Sequence, residues 1–243
     1  MTLIVCDIAG TTVNEDGIVY RELRACVERR GVTVTADQVN AVKGTEKRSA
    51  ITALLTAGGR GTSEEEVAET FADFMDGLRR AYAEQPPSPV AGVEDRLRAV
   101  RAAGGSIALT TGFQRDIAEV VLRACGWGVR RFSVAPGEGH VPALEATGDA
   151  GFTVDALVTS DTVPAGRPAP YLIHRAMEMT GVASVDDVVS VGDTVADLQA
   201  AANAGVRGVG VLTGSVAREV LEAQPHALVL DSLADLPELD EVR

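Results

Sequence analysis

Leu3-Ile4-Val5-Cys6-Asp7-Ile8-Ala9-Gly10-Thr11-Thr12 carries four apolar residues straight into a carboxylate, a glycine and two hydroxyls. An apolar, β-branched run of this length reads as a strand buried on both faces, and the polar turn after it as that strand's carboxyl end. The same pattern recurs at residues 107–110, 156–159, 188–191, 208–212 and 227–230. Most of these runs are followed by Gly, Asp or Thr and then by a helical pattern. Such strands, separated by helix-length stretches, predict an α/β fold with a parallel sheet covered on both sides. Sheets of that type bind ligands beyond the carboxyl ends of their strands, so the turn residues are the place to look for chemistry.

One long stretch interrupts the rhythm. From about residue 19 to residue 85 no strand signal occurs, and the periodicity is helical. Leu23, Cys26 and Val27 mark one apolar stripe, and Ile51, Leu54 and Leu55 another. Val67, Phe71, Met75, Leu78 and Tyr82 form a third, which the pair Ser63 and Glu66 predicts to begin with a capping box. Gln85-Pro86-Pro87-Ser88-Pro89 forbids any continuing helix. The expected organisation is a core of residues 1–15 and 88–243 with a helical insertion at 16–87, hinged near 13–18 and 86–90. Residues 129–152, rich in Gly and Pro and without periodicity, are expected to form a surface excursion.

Composition bounds the function. The chain has 243 residues, 46% of them hydrophobic, and a net charge of −13 from 22 Lys+Arg against 35 Asp+Glu. That apolar share excludes intrinsic disorder and supports one large or two small domains. The negative balance argues against a nucleic-acid partner, which needs a basic stripe, but not against a small anionic substrate. Cys6, Cys26 and Cys125 are scattered without ligand spacing, as expected of reduced thiols. No stretch approaches the roughly 18 apolar residues of a membrane span, and the N-terminus lacks a basic n-region, so the expected location is the cytoplasm.

Four turns carry candidate chemistry. Asp7, followed by Gly10 and Thr11, presents a carboxylate beside backbone N–H groups, which suits a nucleophile or a metal ligand facing an anion. A purely local Asp-Gly turn would use the same residues. Thr110-Thr111-Gly112 offers hydroxyls and N–H groups to a phosphoryl oxygen, although Thr-Gly also ends strands for turn reasons. In Val163-Pro164-Ala165-Gly166-Arg167-Pro168 the guanidinium of Arg167 suits phosphate or carboxylate recognition, the alternative being a surface arginine in a Pro-rich turn. Asp193 and Asp197, four apart where a strand enters a helix, can converge as hard ligands for Mg²⁺, with helix capping as the competing reading.

In this order, Asp-x-x-Gly-Thr, Thr-Gly, Arg and Gly-Asp-x-x-x-Asp, the chain resembles the haloacid dehalogenase (HAD) superfamily over nearly its whole length. The resemblance implies a Rossmann-like core and makes the insertion a C1-type cap. It implies that Asp7 is the nucleophile forming an aspartyl-phosphate, that Thr111 binds the phosphoryl group and that Arg167 replaces the usual motif-three lysine. Asp7, the Ala9 carbonyl, Asp193 and Asp197 would hold Mg²⁺. Gly10, Thr11 and Gly112 would join the substrate site.

Ala9 narrows the resemblance. Most HAD phosphatases and mutases carry a second Asp at this position as general acid, a role worth roughly 10²–10⁴ in rate. Either the chain is crippled towards phosphate esters or its leaving group needs no proton there. Asp-x-Ala-Gly-Thr-Thr, with the segments at 110–112, 163–168 and 191–197, is similar to the phosphonoacetaldehyde hydrolase (phosphonatase) family. That family's cap supplies a lysine that forms a Schiff base with the substrate aldehyde. Gly44-Thr45-Glu46-Lys47 matches its Gly-x-x-Lys, so the resemblance makes Lys47 the candidate. Lys43, four residues earlier, is expected to lower the Lys47 pKa as a like charge and to help bind substrate. Lys47 as a non-covalent ligand for the substrate anion, or as a solvated surface charge, remains an open alternative. The chain departs from the phosphonatase pattern at Lys43 (Met there), Ala50 (His) and Phe113 (Tyr). The expected function is therefore a Mg²⁺-dependent, phosphonatase-like HAD hydrolase acting on a small organophosphonate. The alternative is a phosphomonoesterase of the phosphoglycolate-phosphatase kind, acting on an organophosphate. No nucleic-acid or membrane partner is expected, and a homodimer is left open. His140, His174 and His226 lack spacing partners. His174 is expected on a helix surface, Cys6 in the core and Trp127 packed under the 129–152 excursion.

Overall fold

A computed structural model of the chain describes residues 2–43, 45–147 and 151–242. All six apolar runs are strands of one parallel sheet: β1 (Leu3–Asp7), β4 (Ser106–Thr111), β7 (Ala156–Thr159), β8 (Val188–Gly192), β9 (Arg207–Val211) and β10 (Leu228–Leu230). Their spatial order is β10-β9-β8-β1-β4-β7. The intervening numbers belong to two-residue strands, β2 (Val13–Asn14) paired with β3 (Ser88–Pro89), and β5 (Gly128–Val129) paired with β6 (Thr153–Val154).

Both faces of the sheet are dry, as the unbroken apolar runs require. Leu3 and Val5 of β1 pack with Leu172, Ile173 and Ala176 of α7 (Tyr171–Thr180) and with Ala200 and Ala201 of α8 (Val195–Ala204). Ile4 and Cys6, alternating with them, face Val93 and Leu97 of α5 (Val93–Ala102) and Ile117 of α6 (Arg115–Ala124). A short α9 (Arg218–Glu222) precedes the edge strand β10. Sheet order runs outward in both directions from β1, so the carboxyl end of β1 is a topological switch point, where such folds bind ligands. Register places Asp7 opposite Thr110 and Cys6 opposite Val191.

The insertion leaves the core through β2 and returns through β3, which pair antiparallel, Val13 with Pro89 and Asn14 with Ser88. Between them lie α1 (Ile18–Glu28), α2 (Ala36–Ala41), α3 (Lys47–Ala57) and α4 (Glu64–Glu84). The three predicted stripes are buried on α1, α3 and α4, and the α4 stripe is wider than predicted because Phe74 joins it. Helix α2 has a full capping box, Thr35 with Gln38, that sequence reading passes over. The capping box expected at α4 is only half formed. Ser63 accepts from the Glu66 N–H at 3.1 Å, while the Glu66 carboxylate turns to Arg60 instead.

The 129–152 segment is an excursion only at its middle, where residues 136–140 are exposed. Its flanks are built in. Val129 and Leu144 exchange backbone hydrogen bonds, and buried Trp127 meets Phe152 edge-on at 5.2 Å. Residues 148–150 of this segment lie outside the described residues, as does Gly44. Among the described residues no helix is long and apolar enough to cross a membrane.

The insertion depends on the packing of α4. Phe74, 1% exposed and 6.1 Å from the ring of Phe71, fills its centre. Phe74→Ala is expected to lower the unfolding free energy by about 3–5 kcal/mol, read from the urea midpoint at constant m-value.

Candidate active site

Strand register alone brings the first residues together. β1 lies between β4 and β8, so Asp7 ends beside Thr110 on one side and the turn after Gly192 on the other. Asp193 occupies that turn, and Asp197 lies in the first turn of α8. Asp7, Asp193 and Asp197 are all buried, and a carboxylate oxygen from each falls within 4.8 Å of the others. The capping reading of Asp197 holds at the same time, because its Oδ2 accepts from the Thr194 N–H at 3.0 Å.

Arg167 reaches into this cluster. Its Nη1 lies 2.7 Å from Asp7 Oδ1 and 2.9 Å from Asp197 Oδ1, and its Nη2 donates to Thr110 Oγ1 at 2.8 Å. The crowding shifts the protonation equilibria of these carboxylates. Burial, aided by the charge of Asp197, pushes Asp7 up to about 6 against the opposing pull of Arg167. Burial and the two neighbouring carboxylates push Asp193 up as well. One guanidinium leaves two of the three negative charges uncompensated, which is the charge of one divalent cation. The donor set is all hard oxygen, so the cluster fits such an ion.

Glycines make the close approaches possible. A Cβ on Gly214, in the loop after β9, would stand 1.8 Å from Asp193 Oδ2. Gly10 has φ +87°, and a Cβ there would stand 2.7 Å from the same oxygen. Thr11 donates to Asp193 Oδ1 at 3.1 Å. Gly10 and Thr11 therefore both sit against Asp193. Thr111 is buried, its Oγ1 accepting from the Phe113 N–H at 3.1 Å.

The insertion contributes the fourth wall. One cavity is lined by Asp7, Ala9, Tyr20, Lys47, Thr111 and Arg167, with Gly112, Phe113 and Thr194 beside them. Lys47, the first residue of α3, is 4% exposed and donates to the Thr45 carbonyl at 2.9 Å. Burial brings its ammonium down to about 8, with Arg167 acting in the same direction and Asp7, Glu46 and Glu15 opposing. The like charge beside Lys47 is thus Arg167, not the Lys43 expected from sequence. Lys43 lies in the loop between α2 and α3, where it donates to Ser215 Oγ in the core. Both ammoniums face the Tyr20 ring, at 5.4 and 5.5 Å from its centre.

The family profile of the haloacid dehalogenase-like hydrolases matches residues 1–205. The chain belongs to that family. It is 30% identical over 270 residues to a phosphonoacetaldehyde hydrolase of Parabacteroides distasonis, covering 96% of this chain and 93% of that protein. Its fold is similar to a hydrolase from Pseudomonas syringae, with a TM-score of 0.78 at 19% identity over 97% of this chain and 96% of the other. It is also similar to a phosphonoacetaldehyde hydrolase like protein from Oleispira antarctica, with a TM-score of 0.74 at 20% identity over 97% and 89% of the two chains.

For a haloacid dehalogenase-like hydrolase, sequence reading missed three residues that the fold brings to this place. Tyr20 follows no motif and gains its position only from the packing of α1. Thr110 was read only as part of a turn, and register makes it the partner of Arg167. Glu15, buried, accepts from the Val19 N–H at 2.7 Å and is pushed up by burial to about 7. One available signal went unused: the chain has 20 arginines and two lysines, and both lysines are here. That makes a direct measurement simple. In [¹³C]lysine-labelled protein one Cε resonance is expected to titrate with a midpoint near 8 and to be lost in Lys47→Arg, so an ordinary midpoint near ~10.4 would contradict the burial argument.

Proposed function

We propose that this hydrolase is phosphonatase-like: it cleaves the P–C bond of a phosphonate whose carbonyl lies one carbon from phosphorus, through an imine on Lys47 and an aspartyl-phosphate on Asp7. The observation that carries the reading is a buried lysine with a lowered pKa in one cavity with Asp7, opposite a methyl group at Ala9. A relative named as a phosphonoacetaldehyde hydrolase, matched over 96% of this chain, supports it.

The chemistry follows from what each group can do. Lys47, unprotonated above about pH 8, adds to the carbonyl carbon, and loss of water gives the imine. Protonated, that imine draws electrons from the neighbouring carbon. An Asp7 oxygen attacks phosphorus, the P–C bond breaks, and its electron pair enters the imine as an enamine. A carbon leaving in this way needs no proton from position 9, which is the meaning of Ala9. The enamine then takes a proton on carbon, and water releases the carbonyl product from Lys47 and phosphate from Asp7.

Arg167, held by Asp7 and Asp197, and Thr111, with the Gly112 N–H, orient the phosphonate oxygens. Gly10 and Thr11 border the same substrate, and Lys43 stands in the loop beyond it. Asp7, Asp193 and Asp197, with the Ala9 carbonyl, would hold Mg²⁺. When bound, this ion neutralises the charge that otherwise keeps two anions apart.

The test is phosphate release from phosphonoacetaldehyde with borohydride trapping. Mg²⁺-dependent release is expected, with one trapped adduct on Lys47 and kcat/KM rising as pH passes about 8. Asp7→Asn should lower kcat by about 10⁴ or more. Lys47→Arg should abolish both release and trapping. Turnover of simple phosphate esters with no trapped adduct would instead identify a phosphomonoesterase in which Lys47 only binds substrate.

A further inference from the structure

Phosphonoacetaldehyde leaves one cation without a task. Its phosphonate engages the Asp7 end of the cavity and its aldehyde engages Lys47, which accounts for every polar group it has. Lys43 is the surplus. Arginine serves for 20 of the 22 basic residues, and the two lysines are Lys43 and Lys47. Lysine differs from arginine as a compact, strongly hydrated point charge on a flexible stem, able to turn towards a carboxylate from several directions.

Its surroundings suit such a partner. Lys43 is half-buried between insertion and core, and Asp193 is the acidic group whose charge acts on it. Its hydrogen bond crosses to Ser215 Oγ. Ser215 lines a second cavity of about 170 Å³, together with Ala9, Tyr20, Asp193 and Thr213. Ala9 and Tyr20 also line the catalytic cavity, so the two spaces adjoin, and the ammoniums of Lys43 and Lys47 both face the Tyr20 ring. Three acidic groups also border the second cavity, and each has a donor of its own. Glu15 accepts from the Val19 N–H, Asp16 from the Asn14 amide, and Asp193 from Thr11.

We infer that Lys43 and Ser215 form a second anion subsite, and that the substrate is a phosphonate whose carbonyl carbon carries a carboxylate. The inference rests on the phosphonatase-like reading and names its substrate class. For the smallest such compound, 3-phosphonopyruvate, the Lys47 amine condenses with the ketone and releases water. The P–C electron pair then enters the imine as phosphorus passes to Asp7. Protonation at the terminal carbon and hydrolysis of both covalent intermediates yield pyruvate and phosphate, with one water consumed overall. Throughout, the carboxylate stays on Lys43.

Two unreactive probes isolate the subsite from the chemistry. By calorimetry with Mg²⁺ present, 3-phosphonopropionate is expected to bind about 10-fold or more tighter than propylphosphonate, which lacks the carboxylate. Lys43→Met should erase that preference, and Lys43→Arg should keep part of it. A preference that is absent from the parent protein, or that survives Lys43→Met, overturns the subsite; survival is the outcome if Lys43 contacts the phosphonate itself. In parallel, 3-phosphonopyruvate should release equimolar phosphate and pyruvate, with a borohydride-trapped adduct on Lys47. A Lys43-dependent preference without that release overturns the substrate assignment. Release from phosphonoacetaldehyde in the same preparation would then show that the phosphonatase-like reading survives the loss.

Discussion

Arg167 Nη1 lies 2.7 Å from Asp7 and 2.9 Å from Asp197, and all three side chains are nearly removed from water. Two like charges about 4 Å apart repel by roughly 4 kcal/mol at an effective dielectric near 20. A third buried carboxylate, Asp193, adds to that cost. The cluster persists because the guanidinium bridges two of its members and because hydroxyl and backbone donors hold the rest: Thr11 on Asp193, and the Thr194 N–H on Asp197. The same crowding gives the site its chemistry, since a buried, under-compensated anionic cluster selects a small divalent cation over bulk water.

Around this cluster the core and the insertion divide the work. The core brings the carboxylates and Arg167: Asp7 ends β1, Asp193 follows β8, Asp197 lies in the first turn of α8, and Arg167 reaches in from the loop between β7 and α7. The insertion brings Lys47 and Tyr20 to the cavity, with Lys43 on the same tyrosine ring. Ala9 sits at the junction, lining both cavities. A side chain with a proton to give would serve a departing alkoxide at that point, whereas the reaction proposed above, in which the fragment leaves through carbon, needs none.

Much of this was legible in the sequence, and the legible part has a common cause. The six strands are apolar on both faces, so their runs are unbroken, and the turns after them hold Asp7, Thr111, Arg167 and Asp193 at positions that strand ends bring together. The convergence of Asp193 and Asp197 follows from a strand end that runs through one turn into a capped helix. What escaped depends on tertiary choices. Glu66 had two partners within reach and took Arg60 over the helix cap. Lys43 and Lys47 are four apart, yet they belong to a loop and a helix start, so their like charges do not stack as they would on one helix. Tyr20 has no local signature, because its position depends on how α1 lies against the core.

The ribbon of β2 and β3 has a consequence for how this enzyme family member can change. The outgoing and returning connections are paired, Val13 opposite Pro89 and Asn14 opposite Ser88, with the Val90 N–H donating to the Thr12 carbonyl, so the insertion hangs from the core by what is mechanically a single strap. Its residues are therefore placed against the buried carboxylates as a set. Both lysines lie within five consecutive positions of that set, 43 to 47. A new substrate can therefore be acquired by rewriting one short loop, while the strand register that assembles the carboxylates is left untouched.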